Sequence, residues 1–463
     1  MLLITVLNLL CLVNAIFFSK VYPRMKLSPK RTKYSGEPLF LTPYLNRGSF
    51  ILAQNLSRVS LTEKFGIRSH AGFFTINQKS NTNMYFWYFP PTLKYRAAPV
   101  ILWIQGGAGG SSLYGLFTEV GPLIAKRNSL AVRKHHWALN HHLIFIDTPV
   151  GTGFSFTECP VCYCTNGHCI AHGLYQTLLQ FFQLFPELKR NEFYIAGESY
   201  AGKYIPYLGL MIHNGNIKDT KHKINLQGMA IGSAYCDPIN QLDYGNYLYQ
   251  HGLIDRKELN TFLKYQIEIT IAIKKKHWLR ADILMDRLME GQVTQFSLFK
   301  RYTGYNYYYN YLEADGKTDW LHFMSLLHED DVRRSIHVGG LRFSDGEAAQ
   351  MLLALDMMQS SAPVIAELLS RYKFLFYNGQ LDIIVAYPLT VNFLRHLKFS
   401  GASLYNKASR KVWRVEGKVA GYVKRAGNLT EALVRNAGHM VSKDKPKWTL
   451  DLIKRFIKND YKF

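Results

Sequence analysis

Apolar positions along the chain follow two rhythms. Short runs of β-branched, aliphatic and aromatic residues recur at Val100 to Ile104, Leu143 to Ile146, Phe193 to Ala196, Met229 to Ile231 and Phe374 to Tyr377, each closing near a Gly or Asp. Runs this short, bounded by turn residues, predict buried strands. Between and after them, His172 to Phe185, Pro363 to Tyr372 and Lys447 to Ile457 carry apolar residues at helical spacing. Strands alternating with helices predict an α/β fold, a mostly parallel sheet with helices on both faces. Ahead of that core, Gly72 to Ile76 and Met84 to Phe89 flank a polar turn, Asn77 to Asn83, and predict an antiparallel hairpin.

The alternation breaks between Cys236 and Ile336, where helix-like stretches rich in Lys, Tyr and Met take over. This segment reads as an insertion forming a helical cap, so the chain divides into core residues 16–235, cap residues 236–336 and the remaining core, 337–463. A tyrosine-rich run, YTGYNYYYNYL at Tyr302 to Leu312, lies within the cap and reads either as a binding platform or, as aromatic clusters more commonly are, as packing.

At 463 residues, 48% hydrophobic and 14% aromatic, with no fixed repeat, the chain is neither disordered nor a solenoid. The opening MLLITVLNLLCLVNA ends on Val13-Asn14-Ala15, the small-x-small pattern of a cleaved secretory signal, and is too short to span a bilayer. Residues 1–15 are therefore expected to be a signal, with secretion and the lysosome both open as destinations and no transmembrane segment. Asn55-Leu56-Ser57 and Asn428-Leu429-Thr430 are acceptor sequons for that compartment. The 56 Lys and Arg against 33 Asp and Glu leave a formal charge of +23, which favours contact with an anionic glycan or surface. No nucleic-acid recognition motif accompanies it, and a homodimer is left open.

Five cysteines remain beyond the signal: Cys159, Cys162, Cys164, Cys169 and Cys236. The first four crowd into ECPVCYCTNGHC, spacing poor for structural zinc because no second ligand pair follows, so local disulfides are expected and no metal. An odd count leaves one thiol over, and Cys236 is open as a partner for one of the four.

The chemistry concentrates at turns. Gly197-Glu198-Ser199-Tyr200-Ala201-Gly202 follows the Phe193 to Ala196 run and precedes a helix-compatible segment, the setting of a nucleophile elbow, with Ala201 at the second glycine position. A serine hydroxyl needs a base oriented by an acid. Asp382, in YNGQLD, and His439, in NAGH, supply both in the order Ser, Asp, His. A tetrahedral intermediate needs two backbone N–H donors. Tyr200 provides one, and the glycine loop Gln105 to Ser112 follows an early strand where the second is required. No Gly-Lys-Ser/Thr follows that loop, which excludes a phosphate cradle.

Together GESYAGKYIP, WIQGGAGGSSLYGLFTEVGP, DTPVGTGFSF, YNGQLDIIV and NAGHMV resemble the serine carboxypeptidase family of the α/β-hydrolase fold, nearest its vitellogenic-like branch, over residues from about Gly72 onward. The resemblance implies release of C-terminal residues from peptides with a free C terminus through an acyl-enzyme, without a cofactor. It assigns Ser199 as nucleophile, His439 as base and acid, Asp382 as its orienting carboxylate, and the Gly107 and Tyr200 N–H groups as the oxyanion hole. It also implies that Gln105, Glu119 and Glu198 hold the substrate carboxylate. Two close carboxyls cannot both ionise cheaply, so one keeps a proton to donate, and an acid optimum is expected.

The chain departs from the family pattern in three places. Ala108 stands where relatives carry Pro in the glycine loop, a change expected to loosen its turn. Cysteines replace acidic residues after Phe156, and the cap lacks cysteines at Tyr265 to Lys274 and at Tyr305. Three function classes follow: a peptidase, an esterase or acyltransferase using the same triad, and a weakened or inactive binding protein.

Overall fold

The computed structural model describes residues 34–127, 129–291, 293–316 and 321–460; the expected signal, residues 1–15, lies outside them. Ten strands form one sheet: β1 (His70–Asn77), β2 (Thr82–Phe89), β3 (Val100–Ile104), β4 (His142–Ile146), β5 (Phe193–Glu198), β6 (Leu226–Gly232), β7 (Lys373–Gly379), β8 (Lys411–Val415), β9 (Lys418–Ala426) and β10 (Leu429–Val434). Their order across the sheet is β1-β2-β4-β3-β5-β6-β7-β10-β9-β8. The six strands from β4 to β10 pair in parallel, and an antiparallel pair closes each edge.

Central strands are buried along their whole length, Val100–Ile104 and His142–Ile146 at every position, because helices cover both faces and leave no polar side to the pleat. The principal covering helices are α1 (Ser112–Thr118), α2 (Gly167–Leu184), α3 (Ala201–Lys218), α4 (Arg256–Lys274), α5 (Trp278–Met285), α6 (Ala362–Leu369) and α7 (Pro446–Lys458). Helix α2 packs on α3, and α3 on α6. Asn166 caps α2 by accepting from the Cys169 N–H.

Between β6 and β7 the described residues of 236–336 are helical, without a strand. Asp255 and Glu258 form a reciprocal cap at the start of α4, satisfying donors that the first turn leaves unpaired. The helical character continues beyond 336. Glu347–Leu352 and Ala354–Met357 follow, and the second packs on α5 before the sheet resumes.

Cysteine pairing is local. Cys159–Cys162 and Cys164–Cys169 are disulfides, whereas Cys236 takes no partner among them. Its thiol is buried against the Gly202 carbonyl at 3.4 Å, and burial raises its pKa.

Candidate active site

Ser199 leaves β5 with φ of +59°, in the left-handed region that costs a non-glycine residue roughly 1–2 kcal/mol. Backbone bonds hold it there. Its N–H donates to the Gly232 carbonyl at 2.9 Å, and its own carbonyl accepts from Gly202 and Tyr235 at 2.9 and 3.0 Å. The turn is too tight for a side chain at Gly197, where a Cβ would sit 2.2 Å from the Ile104 carbonyl oxygen. The buried Ala201 methyl is accommodated at the motif's second small position.

His439 and Asp382 reach this turn from the ends of two other strands. Asp382 follows β7 and accepts from the Val385 N–H at 3.1 Å and from His439 Nδ1 at 2.8 Å. His439 follows β10, and Ser233 donates to its carbonyl at 3.0 Å. The two turns approach so closely that a Cβ on Gly379 would lie 2.0 Å from the Gly438 oxygen. All three side chains are buried, and His439 Nε2 has no hydrogen-bond partner among the described residues.

The tyrosine-rich cap run packs directly on this assembly. The Tyr309 ring meets the His439 ring at 4.9 Å, and its carbonyl accepts the His439 N–H at 2.7 Å. The Tyr308 carbonyl accepts from Ile383 and Ile384 at 3.1 and 3.2 Å. These tyrosines therefore fix the loops bearing Asp382 and His439, a role that periodicity alone does not disclose.

The glycine loop closes through Gly110 donating to the Gly106 carbonyl at 2.9 Å. Asp147 ties it down, accepting from Ser111 Oγ at 2.5 Å and the Ser112 N–H at 3.1 Å, and from Phe154 N–H at 2.9 Å on the next loop. Burial pushes Asp147 up to about 6 despite these donors. Thus the turn is secured around Ala108 without the ring of a proline. A Cβ on Gly106 would lie 2.7 Å from the Tyr200 nitrogen, so glycine here lets the loop reach the elbow. Among the described residues, neither the Gly107 nor the Tyr200 N–H donates to a backbone carbonyl.

Gln105, Glu119 and Glu198 meet below the loop, fully buried. They come from the ends of β3, α1 and β5. Trp103 Nε1 donates to Gln105 Oε1 at 2.9 Å, which orients the amide so that Nε2 donates to Glu119 Oε1 at 3.1 Å and Glu198 Oε1 at 2.7 Å. Gly115 makes room, since a Cβ there would strike both Trp103 and Gln105. Burial raises both carboxyls, and the Glu119 charge drives Glu198 well above the usual range, while Gln105 opposes each shift. Glu119 Oε2 is buried without a hydrogen-bond partner among the described residues.

The two sequon asparagines differ. Asn55 is exposed on the helix Phe50–Leu56, whereas Asn428 Nδ2, the atom a glycan would take, donates to the Leu369 carbonyl at 3.0 Å.

A mixed sheet with a parallel centre, helices on both faces and a serine on a strained strand-to-helix turn defines an α/β hydrolase. The chain belongs to the serine carboxypeptidase family, whose model matches residues 60–459, and with it to the peptide-bond hydrolases. It is 49% identical to the venom serine carboxypeptidase of Apis mellifera, over 96% of both chains. It is 46% identical to the vitellogenic carboxypeptidase of Aedes aegypti, over 95% of this chain and 93% of that one. In fold it matches the prohormone-processing carboxypeptidase of Saccharomyces cerevisiae with a TM-score of 0.73, at 22% identity, covering 88% of this chain and 96% of the other.

Proposed function

We propose that the protein releases single residues from peptide C termini through an acyl-enzyme on Ser199. His439 Nε2 takes the Ser199 proton as the hydroxyl oxygen attacks the carbonyl of the last peptide bond. The Gly107 and Tyr200 N–H groups receive the oxyanion, worth several kcal/mol in a site that excludes water. The C–N bond then breaks, His439 returns the proton to the leaving amine, and water hydrolyses the ester by the same route. Asp382 keeps the imidazole in the tautomer that accepts at Nε2.

The observation that carries the reading is the carboxyl pair beside the elbow, with Glu119 Oε2 buried and unpartnered. A proton shared by Glu119 and Glu198 can be donated to an incoming carboxylate, and Gln105 Nε2 points into the same place. An endopeptidase has no use for such a group. Because burial raises both carboxyls, the proton is held at acidic pH and lost as pH rises through the raised value. Peptide release therefore falls with rising pH. Two disulfides fit an oxidising secretory compartment, and no helix among the described residues is long and apolar enough to cross a membrane.

The test is release from an N-blocked dipeptide with a free C-terminal carboxylate and from its C-terminal amide. Release should favour the free acid, and Ser199→Ala should lower it by about 10⁴-fold or more. Equal release from acid and amide removes the clamp from the reading. Release that survives Ser199→Ala removes the acyl-enzyme.

A further inference from the structure

Helix α4 buries one face and leaves the other open. Leu259, Phe262, Ile269, Ala272 and Ile273 are buried, and Gln266 Oε1 fixes the rotation of the helix by accepting the Gly245 N–H at 2.8 Å. The opposite stripe runs at helical spacing through Lys264, Ile267, Glu268, Ile271, Lys274 and Lys275, all exposed. A helix packed on one side ordinarily turns a polar face to water. Here two β-branched aliphatic side chains occupy the middle of that face, Ile267 at 59% exposure and Ile271, one turn on, at 46%. Beyond the turn at 275–277, closed by the His277 N–H donating to the Ala272 carbonyl at 2.9 Å, Leu279 on α5 adds a third at 42%.

Charge frames these side chains with one sign. From residue 264 to 280 the cations are Lys264, Lys274, Lys275, Lys276 and Arg280, all exposed, against the single acid Glu268. A second copy docked through the same face would set five cations against five, a self-repelling arrangement in a symmetric dimer. A sulfated glycan would take the cations and leave the isoleucines in water. A bilayer rich in anionic headgroups takes both, because aliphatic side chains enter the headgroup boundary while lysine stems carry their charge to the phosphates. The face is rigidly held: α4 packs on the helix Tyr244–Gln250, whose Tyr247 hydroxyl donates to the Asp382 carbonyl at 2.9 Å.

We propose that the outer face of α4, with the turn that follows it and Leu279, docks the protein on an anionic phospholipid surface. Such docking adds an interaction to the peptidase reading and needs none of its chemistry.

The intact protein is sedimented with phosphatidylcholine vesicles, with and without phosphatidylserine. Wild type is compared with the double variant Ile267→Asp with Ile271→Asp and with the triple variant Lys274→Gln, Lys275→Gln and Lys276→Gln. Wild type should bind only the vesicles that contain phosphatidylserine. Each variant should lower the partition coefficient about tenfold or more, since buried apolar area and electrostatic attraction act together. The changed side chains are exposed and lie outside the proposed catalytic machinery, so melting temperature and release from a soluble dipeptide should match wild type. Serine at both isoleucine positions serves where aspartate lowers the melting temperature. Absence of wild-type binding, equal binding to neutral vesicles, or an unchanged partition in either variant overturns the proposal. Heparin retention without vesicle binding, indifferent to loss of both isoleucines, would give the face to a glycan and overturn it too. So would a wild-type dimer that the isoleucine variant makes monomeric, which would give the face to a second copy.

Discussion

Two groups of buried carboxyls flank Ser199, and they are built on opposite plans. On one side Glu119 and Glu198 come from different elements and meet across a single amide, Gln105. On the other, Asp282, Asp286 and Glu290 follow one another along a continuous helical stretch. Asp286 is answered by the Val293 and Thr294 N–H groups and the Thr294 hydroxyl, at 3.2, 2.9 and 2.8 Å, and Glu290 lines the space beside Ser199. In the proposed reaction the first plan makes two acids share a proton and act as a donor. The second crowds acids together, and burial with Glu290 and Asp286 holds Asp282 well above the usual carboxylate range. Identical side-chain chemistry ends in different settings through what stands between the acids.

The comparison can be broken most severely at the clamp. Glu198→Ala removes the shared proton and should lower kcat/KM for free-acid dipeptides by about 100-fold, the scale of losing a charge-assisted hydrogen bond. Release from the amidated peptide should change far less, and a loss of equal size on both peptides would show damage to the elbow instead. Glu119→Gln sharpens the contrast through pH. The amide can donate at any pH, so the decline in peptide release with rising pH, about tenfold per unit once a single required proton is lost, should flatten in that variant. A slope identical to wild type would assign the decline to another group. The smallest effect is expected on the far side. Asp286→Ala leaves backbone donors unpaired and should cost about 1–3 kcal/mol, read as a lower melting temperature, with little change in the preference for a free C terminus. Loss of that preference would mean that the two carboxyl groups are mechanically coupled.

Much of the sheet was legible because its centre is uniformly apolar. Val100 to Ile104 coincides with β3, and the other four core runs lie inside β4 to β7, which extend further through polar or glycine ends. The strands β8 and β9 escaped the same reading because their apolar residues are interspersed with Lys and Arg on partly exposed positions, and β10, fully buried, because Thr430 and Glu431 interrupt its apolar run. Their turns were visible in retrospect, with Glu416 and Gly417 both at positive φ. Ser199, Asp382 and His439 stood out since each sits in a small-residue turn whose glycines have no steric alternative. Glu290 carries no comparable mark. It lies in a helical insertion whose register determines which acids face inward, and one-dimensional spacing does not fix the cavity to which they turn. The tie between Tyr309 and His439 is equally long-range, joining residues 130 positions apart.

The position of β10 has a temporal consequence. It enters the sheet between β7 and β9, and only the turn after it delivers His439, 240 residues after Ser199. At roughly 5–20 residues per second of synthesis, about 10–50 s separate the synthesis of Ser199 from that of His439. On the proposed mechanism a nascent chain is thus a hydrolase without its base, unable to trim itself or its neighbours while its own segments are still being threaded into place.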